Sequence, residues 1–90
     1  MTRRIRILVS GHVQGVCFRA AAQQQAGKLS IKGFVRNLFD GQVEIVAEGA
    51  GDVLQELIDW SHQGPLMAKV EKVVTEDIES NEQFNGFEVR

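Results

Sequence analysis

The order in which hydrophobic patterns follow each other along the chain is the feature that most restricts its fold. Segments in which apolar and polar residues alternate predict β-strands with one buried face, and segments in which apolar residues recur every three to four positions predict helices. The two patterns occur in the order strand, helix, strand, strand, helix, strand, followed by a short closing strand. This order favours two helices packed on one side of a sheet.

Turn and cap residues set the bounds of these elements. Asp40-Gly41 is typical of a hairpin turn between the second and third strands. Asp52 is predicted to cap the second helix, and the differing parity of Val70 and Val73 predicts a bulge or a late start in the fourth strand. The predicted elements are a first strand ending at Gly11, a helix from Cys17 or Phe18 to about Lys28, strands at Ile31–Leu38 and Gln42–Glu48, a helix at about Val53–Gln63, and strands at Lys69–Ile78 and Phe87–Arg90. We therefore predict an α+β fold, a ferredoxin-like βαββαβ sandwich in which two helices cover one face of an antiparallel sheet.

Length, charge and cysteine content restrict the class of protein. Ninety residues suit one domain, predicted to span residues 1–90. Ten Lys and Arg against twelve Asp and Glu give a net charge of −2, whereas proteins that mainly bind nucleic acid usually carry a basic surface. The single cysteine excludes an internal disulfide. The strand pattern begins within the first six residues, and no apolar run approaches the roughly 20 residues of a membrane span. We therefore expect a cytoplasmic monomer with no signal peptide, membrane partner or nucleic-acid partner.

The segment between the first strand and the first helix has the parts of an anion site. Gly11 and Gly15 allow the backbone to turn sharply and to point successive N–H groups inward. The helix that follows adds unpaired N–H groups and the positive end of its dipole. Arg19 in its first turn carries a planar set of donors that suits a phosphate. An ordinary connection with a solvated arginine fits the same residues, so the loop alone leaves both interpretations open.

Other residues with reactive or aromatic side chains have simpler interpretations. Cys17 is interpreted as a small buried residue rather than a thiol nucleophile. His12 is expected to face solvent, and His62 to lie at the end of a helix. Trp60 is expected in the core or as surface cover, and Arg36 as a solvated strand residue. The nucleotide-binding sequences Gly-x4-Gly-Lys-Ser/Thr and Gly-x-Gly-x-x-Gly do not occur in the chain.

Two motifs resemble those of the acylphosphatase family. Residues 11–19 read GHVQGVCFR and match Gly-x-Val-Gln-Gly-Val-x-Phe/Tyr-Arg at every fixed position. Residues 33–37 read GFVRN and match the start of a second motif, Gly-aromatic-small-basic-Asn. Ser30 departs from the family, in which glycine is more usual. The later positions that also resemble the family are Gly41, Val43, Gly49, Gly64, Pro65, Ala68, Val70 and Val73.

The resemblance implies hydrolysis of the carboxyl–phosphate bond of an acyl phosphate to a carboxylate and inorganic phosphate. It implies that Arg19 and the loop 12–19 hold the phosphate, and that Asn37 on the second strand orients the attacking water. Inorganic phosphate is expected as product or inhibitor. The scattered His, Asp and Glu residues offer no metal cluster, and no cofactor is expected. The implied phosphate-binding residues are His12, Val13, Gln14, Gly15, Val16, Cys17, Phe18 and Arg19.

Two other functions are compatible with parts of the sequence. One is a non-catalytic, anion-binding regulatory domain of the same fold, although the chain retains both Arg19 and Asn37. The other is an RNA-binding module of the RRM kind, which shares the order of elements. Residues 32–39, KGFVRNLF, begin like its RNP1 motif but then depart from it, and they fall on the second strand instead of the third. The acidic composition also disagrees with RNA binding.

Overall fold

The computed structural model describes residues 2–90, so Met1 of the predicted domain 1–90 lies outside the described residues. The order of elements is the predicted one, and the bounds of the first helix agree with the prediction. Within residues 2–90, no helix is long and apolar enough to cross a membrane. The elements are β1 (Thr2–His12), α1 (Phe18–Lys28), β2 (Lys32–Asn37), β3 (Val43–Ala50), α2 (Gly51–Ser61), β4 (Lys69–Asp77) and β5 (Phe87–Val89).

The strands form one mixed sheet in the order β4-β1-β3-β2-β5. β1 pairs antiparallel with β3 and β4, and β2 pairs antiparallel with β3. β5 instead pairs parallel to β2, with Val89 opposite Val35. The predicted antiparallel sheet therefore holds for β1 to β4, and β5 adds one parallel pair at its edge. The chain leaves β4 and crosses the sheet at one end, so β5 runs opposite to β4 and along β2.

The predicted irregularity of the fourth strand is confirmed. Ser10 lies opposite Lys72, but the next residue of β1, Gly11, lies opposite Val70. Glu71 is thus the extra residue of a β-bulge, and β4 begins at the predicted Lys69. The bulge lies at the end of the sheet where β1 leads into the loop 12–19.

The hydrophobic core lies between the helices and one face of the sheet. Ile5, Ile7 and Val9, the predicted inward residues of β1, are at most 2% exposed. They belong to one cluster with residues of both helices and the other central strands, which confirms that both helices cover the same face. The helical members of this cluster are Phe18, Ala22, Ala26, Leu54 and Leu57.

The second helix begins earlier than predicted. It starts at Gly51, and Ala50 occupies the N-cap position without a side-chain hydrogen bond. The prediction that Asp52 caps this helix is therefore wrong. Asp52 lies in the first turn, where its negative charge faces the positive end of the helix dipole.

The first helix ends in a left-handed residue that is not glycine. Ser30 has a φ of 56°. Its N–H donates to the carbonyl oxygen of Gly27, and the N–H of Ile31 donates to that of Ala26. These two bonds form a Schellman motif, in which the position of Ser30 is usually glycine. A side chain at a left-handed position costs about 1–2 kcal/mol.

The face of the sheet without helices carries a buried carboxylate between two arginines. Glu44 is 3% exposed; it accepts hydrogen bonds from Arg6 Nε at 2.6 Å and Arg36 Nε at 2.5 Å. Burial raises the pKa of Glu44, but the hydrogen bonds from Arg36 and Arg6 outweigh it and hold this pKa below its ordinary value. Arg36 is a solvated strand residue as predicted, since half of its side chain is exposed, but its guanidinium is also bound to Glu44.

Candidate functional site

The loop 12–19, the start of α1 and the end of β2 meet at one end of the sheet. They enclose a pocket of about 390 Å³. Arg19 and Asn37, 18 positions apart in the sequence, both line it. The residues that line this pocket are Val13, Gly15, Cys17, Phe18, Arg19, Ala20, Asn37 and Val89.

The loop beside this pocket has a backbone suited to an anion. Gly15 and Cys17 have φ values of 76° and 66°, both in the left-handed region. Such turns direct successive N–H groups toward one side. Among the main-chain hydrogen bonds of residues 2–90, none has an N–H of residues 14–20 as its donor. These N–H groups and the positive end of the α1 dipole are therefore available to an anion.

Arg19 is held at this pocket by Arg90, the residue that follows the last strand. Its Nη1 donates to the main-chain oxygen of Arg90 at 3.0 Å. A guanidinium has five N–H donors in one plane, and this bond uses one of them. The remaining donors are sufficient for a two-bond contact with a phosphate.

Asn37 is the last residue of β2, opposite Val43 of β3. Asn37 is half-buried and lines the pocket. Among the side-chain hydrogen bonds that join residues 2–90, none involves the Asn37 amide. The amide is therefore available to hold a water molecule or a substrate atom.

Three apolar residues anchor the loop 12–19 in the core. Val13, Val16 and Phe18 are 1%, 9% and 2% exposed. The ring of Phe18 lies 5.3 Å from that of Trp60, centre to centre, so Trp60 covers the core as predicted. Burial of these side chains fixes the path of the backbone between them.

The remaining predicted loop residues have different positions. His12 is exposed, pairs with Lys69 at the end of β1 and lies outside the pocket lining. Cys17 occupies the N-cap position of α1 and is exposed, so its interpretation as a buried residue is wrong. The Gln14 side chain faces the turn between β2 and β3 and lines a neighbouring pocket of about 530 Å³ that also includes Asn37. Among residues 2–90, no three His, Cys, Asp or Glu side chains form a group that could hold one metal ion.

Three residues near the pocket were not identified from the sequence: Ala20, Val89 and Arg90. The closing strand was predicted, but its parallel placement beside β2 was not. That placement brings Val89 to the pocket and the main-chain oxygen of Arg90 to Arg19. A strand of three residues carries too little pattern to reveal its partner.

The β2 segment that begins like an RNP1 motif lacks an aromatic platform on the sheet. RNA bases stack on exposed aromatic side chains of such a surface. Phe34 is only 7% exposed, since the ring of Phe84 packs against it with centres 6.1 Å apart. Phe39, the other aromatic residue of the segment, lies beyond the end of β2. The geometry therefore does not favour the RNA-binding alternative.

Known proteins with similar sequence and structure agree with the motifs. The family model described as Acylphosphatase matches residues 5–89. An acylphosphatase from Rubrobacter xylanophilus is 47% identical over 89 residues, which cover 99% of this chain and 81% of the relative. The structure of an acylphosphatase from Coxiella burnetii has a TM-score of 0.93 at 40% identity and covers 99% of this chain and 93% of its own. That of an acylphosphatase from Bacillus subtilis has a TM-score of 0.92 at 37% identity, with 100% and 99% covered. The chain therefore belongs to the acylphosphatase family, the hydrolases that cleave the carboxyl–phosphate bond of acyl phosphates.

Proposed function

We propose that the chain hydrolyses acyl phosphates in the pocket between the loop 12–19 and the end of β2. Arg19 and the N–H groups of the loop hold the phosphate, and Asn37 orients the attacking water. The observation that carries this proposal is that, within residues 2–90, the N–H groups of residues 14–20 have no main-chain acceptor, and that Gly15, Cys17 and Ala20 of this segment line the same pocket as Arg19 and Asn37. An anion supplies the acceptors that this backbone lacks.

The chemistry requires mainly positioning and charge stabilisation. A carboxylate is a good leaving group, so the carboxyl–phosphate bond needs little activation. Arg19 and the loop N–H groups stabilise the negative charge on the equatorial phosphoryl oxygens. The Asn37 amide holds the water in line with the bond that breaks. The water oxygen bonds to phosphorus, and the carboxylate leaves with the electron pair of the broken bond.

The proton of the water is transferred to the substrate itself. Neither an arginine nor an asparagine side chain accepts a proton near neutral pH. A phosphate oxygen lies next to the attacking water and becomes more basic as the new bond forms. A turnover rate that follows the titration of one protein base, and that disappears when this base is substituted, would contradict this step.

The substrate is an acyl phosphate, and inorganic phosphate is the product and a competitive inhibitor of the same pocket. A non-catalytic anion-binding domain would use the same loop without turnover, so measured turnover separates the two. The single domain over residues 1–90, the monomeric state and the cytoplasmic location stay predictions.

The proposed roles are tested by benzoyl phosphate hydrolysis in the presence of EDTA. We expect Arg19→Ala to lose turnover by about 10²-fold or more and to lose inhibition by phosphate. Asn37→Ala should lose turnover but keep phosphate inhibition. Arg3→Ala is the matched control, because Arg3 pairs with Asp77 on the surface away from the pocket, and it should behave as the wild type.

Three results would contradict this assignment. No turnover by the folded wild type would leave the pocket as a binding site only. Normal phosphate inhibition in Arg19→Ala would contradict the phosphate site. Equal loss of phosphate inhibition in Asn37→Ala would make Asn37 a phosphate ligand instead of a water ligand.

A further inference from the structure

The side chain of Gln14 connects the two halves of the proposed active site. Its Nε2 donates to the main-chain oxygen of Leu38 at 2.7 Å and to that of Gln42 at 2.9 Å. The backbone of Gln14 belongs to the phosphate loop, whereas Leu38 directly follows Asn37. One amide group thus joins the loop that holds phosphate to the strand end that carries Asn37.

These two bonds use the full donor capacity of the amide. A glutamine NH₂ has two hydrogens, and each is given to one main-chain oxygen. The side-chain nitrogen therefore has no donor left for a phosphate. Gln14 can therefore contact a phosphate only through its main-chain N–H.

The turn that receives Gln14 is already closed by its own hydrogen bonds. The N–H of Leu38 donates to the oxygen of Gln42 at 2.9 Å, and the N–H of Gly41 donates to that of Leu38 at 3.2 Å. The turn therefore does not need Gln14 to satisfy its carbonyl groups. Within residues 2–90, the two Gln14 bonds are the side-chain hydrogen bonds that link residues 13–17 to residues 38–42.

We propose that Gln14 is a positioning residue that sets the place of Asn37 relative to the phosphate loop. The inference rests on the proposed function, in which Asn37 holds the water. In-line attack requires the water and the phosphorus to keep a fixed distance and direction, and a displacement of about 1 Å can reduce turnover by about 10²-fold. Arg19 and the loop set the position of the phosphorus, and Asn37 sets the position of the water.

The inference is tested with Gln14→Met, which keeps the length of the side chain and adds no charge but has no donor. We expect kcat for benzoyl phosphate to fall about 10- to 100-fold, while the inhibition constant for inorganic phosphate changes less than about threefold. Gln42→Met is the matched control. It removes an amide from the same turn, one that contacts Asp40 and Ser10, but leaves the main-chain oxygen that Gln14 uses, and both constants should stay near the wild type.

A double substitution shows whether Gln14 acts through Asn37. If it does, Gln14→Met combined with Asn37→Ala should turn over no more slowly than Asn37→Ala alone. Losses that multiply would overturn the inference. A phosphate inhibition constant that weakens as much as kcat in Gln14→Met would also overturn it, since the side chain would then be a phosphate ligand.

The failure of this inference is distinguishable from that of the proposed function. Full turnover by Gln14→Met beside impaired Asn37→Ala overturns only the role of Gln14. Full turnover by Asn37→Ala overturns both. If circular dichroism shows Gln14→Met to be unfolded, Gln14→Asn replaces it; its amide is one methylene too short to reach both oxygens, and the same separation of kcat from phosphate inhibition is expected.

Discussion

Gly15 and Gly41 provide a matched pair that tests the anion loop separately from the fold. Their φ values of 76° and 93° are both unfavourable for a residue with a Cβ. A Cβ built at either position would meet no protein atom within 4 Å. Gly15 lines the proposed phosphate pocket, and Gly41 lies in the turn between β2 and β3. Gly15→Ala and Gly41→Ala therefore place similar backbone strain at two sites, of which only the first lines the pocket.

The two substitutions should cost similar stability but different function. Since neither Cβ clashes, the net cost is the backbone strain less the entropy that alanine removes from the unfolded chain, about 0.5–1 kcal/mol in each variant. For a chain of this length, each kcal/mol lowers the melting temperature by roughly 4–8 °C. Relaxation of residue 15 toward negative φ also turns its neighbouring N–H groups away from the pocket. We therefore expect phosphate inhibition to weaken by about tenfold or more in Gly15→Ala, and to be unchanged in Gly41→Ala.

Thermal unfolding and phosphate inhibition of benzoyl phosphate hydrolysis measure the two effects on the same samples. Melting temperatures that fall alike, with inhibition weakened only in Gly15→Ala, would support the left-handed loop as the phosphate site. Unchanged phosphate inhibition in a folded Gly15→Ala would refute the reasoning, because the backbone at residue 15 would then not hold the anion.

Two further substitutions test the packing around the site. Ser30→Gly should stabilise the chain by about 0.5–1 kcal/mol, because relief of the strain at φ 56° exceeds the entropy that glycine adds to the unfolded chain; chemical denaturation measures this, and a loss of stability would contradict it. Glu44→Gln should destabilise the fold by about 2 kcal/mol at pH 7, less than for a fully buried pair since Arg6 and Arg36 remain partly exposed. The folded pKa of Glu44 lies below its ordinary value of 4.5, so this contribution is complete above that pH and is lost as the pH falls through the folded pKa. A difference between wild type and Glu44→Gln that is the same at pH 7 and pH 3 would contradict it.

The hydrophobic patterns predicted most of the fold because they report burial on one face. Ile5, Ile7 and Val9 alternate with polar residues, and all three are in the core. Patterns say less about which strands become neighbours. The three residues of β5 do not indicate whether the strand joins the sheet parallel or antiparallel. The segment that crosses the sheet before β5 determines its direction. The early start of α2 at Gly51 was missed for a related reason, since glycine and alanine there carry no helical pattern.

The candidate site was predictable where one short segment contains its parts. The loop motif and Arg19 occupy nine consecutive residues, so the resemblance to the family's first motif identified them together, although the loop alone left an ordinary connection open. Asn37 was identified only through the second motif, because a lone asparagine at the end of a strand is an ordinary turn residue. The Gln14 bonds and the Arg90 contact join segments distant in sequence, and no local pattern encodes them. The exposure of Cys17 was missed because the sequence does not show that this residue has a φ of 66°, which directs its side chain away from the core.

In the loop, buried apolar residues alternate with the strained, left-handed ones. This alternation explains how a backbone with many available N–H donors stays folded. Left-handed residues at 15 and 17 are locally unfavourable, as are the N–H groups of residues 14–20, which have no main-chain acceptor within residues 2–90. A non-glycine residue in this region costs about 1–2 kcal/mol. The residues between these positions, Val13, Val16 and Phe18, are almost fully buried, and each such side chain stabilises the fold by about 1.5–3 kcal/mol. Their burial outweighs the local strain, so the donors can be held in place before any phosphate arrives. The apolar positions of the motif therefore support the proposed anion site together with Gly15 and Arg19, although their side chains lie in the core.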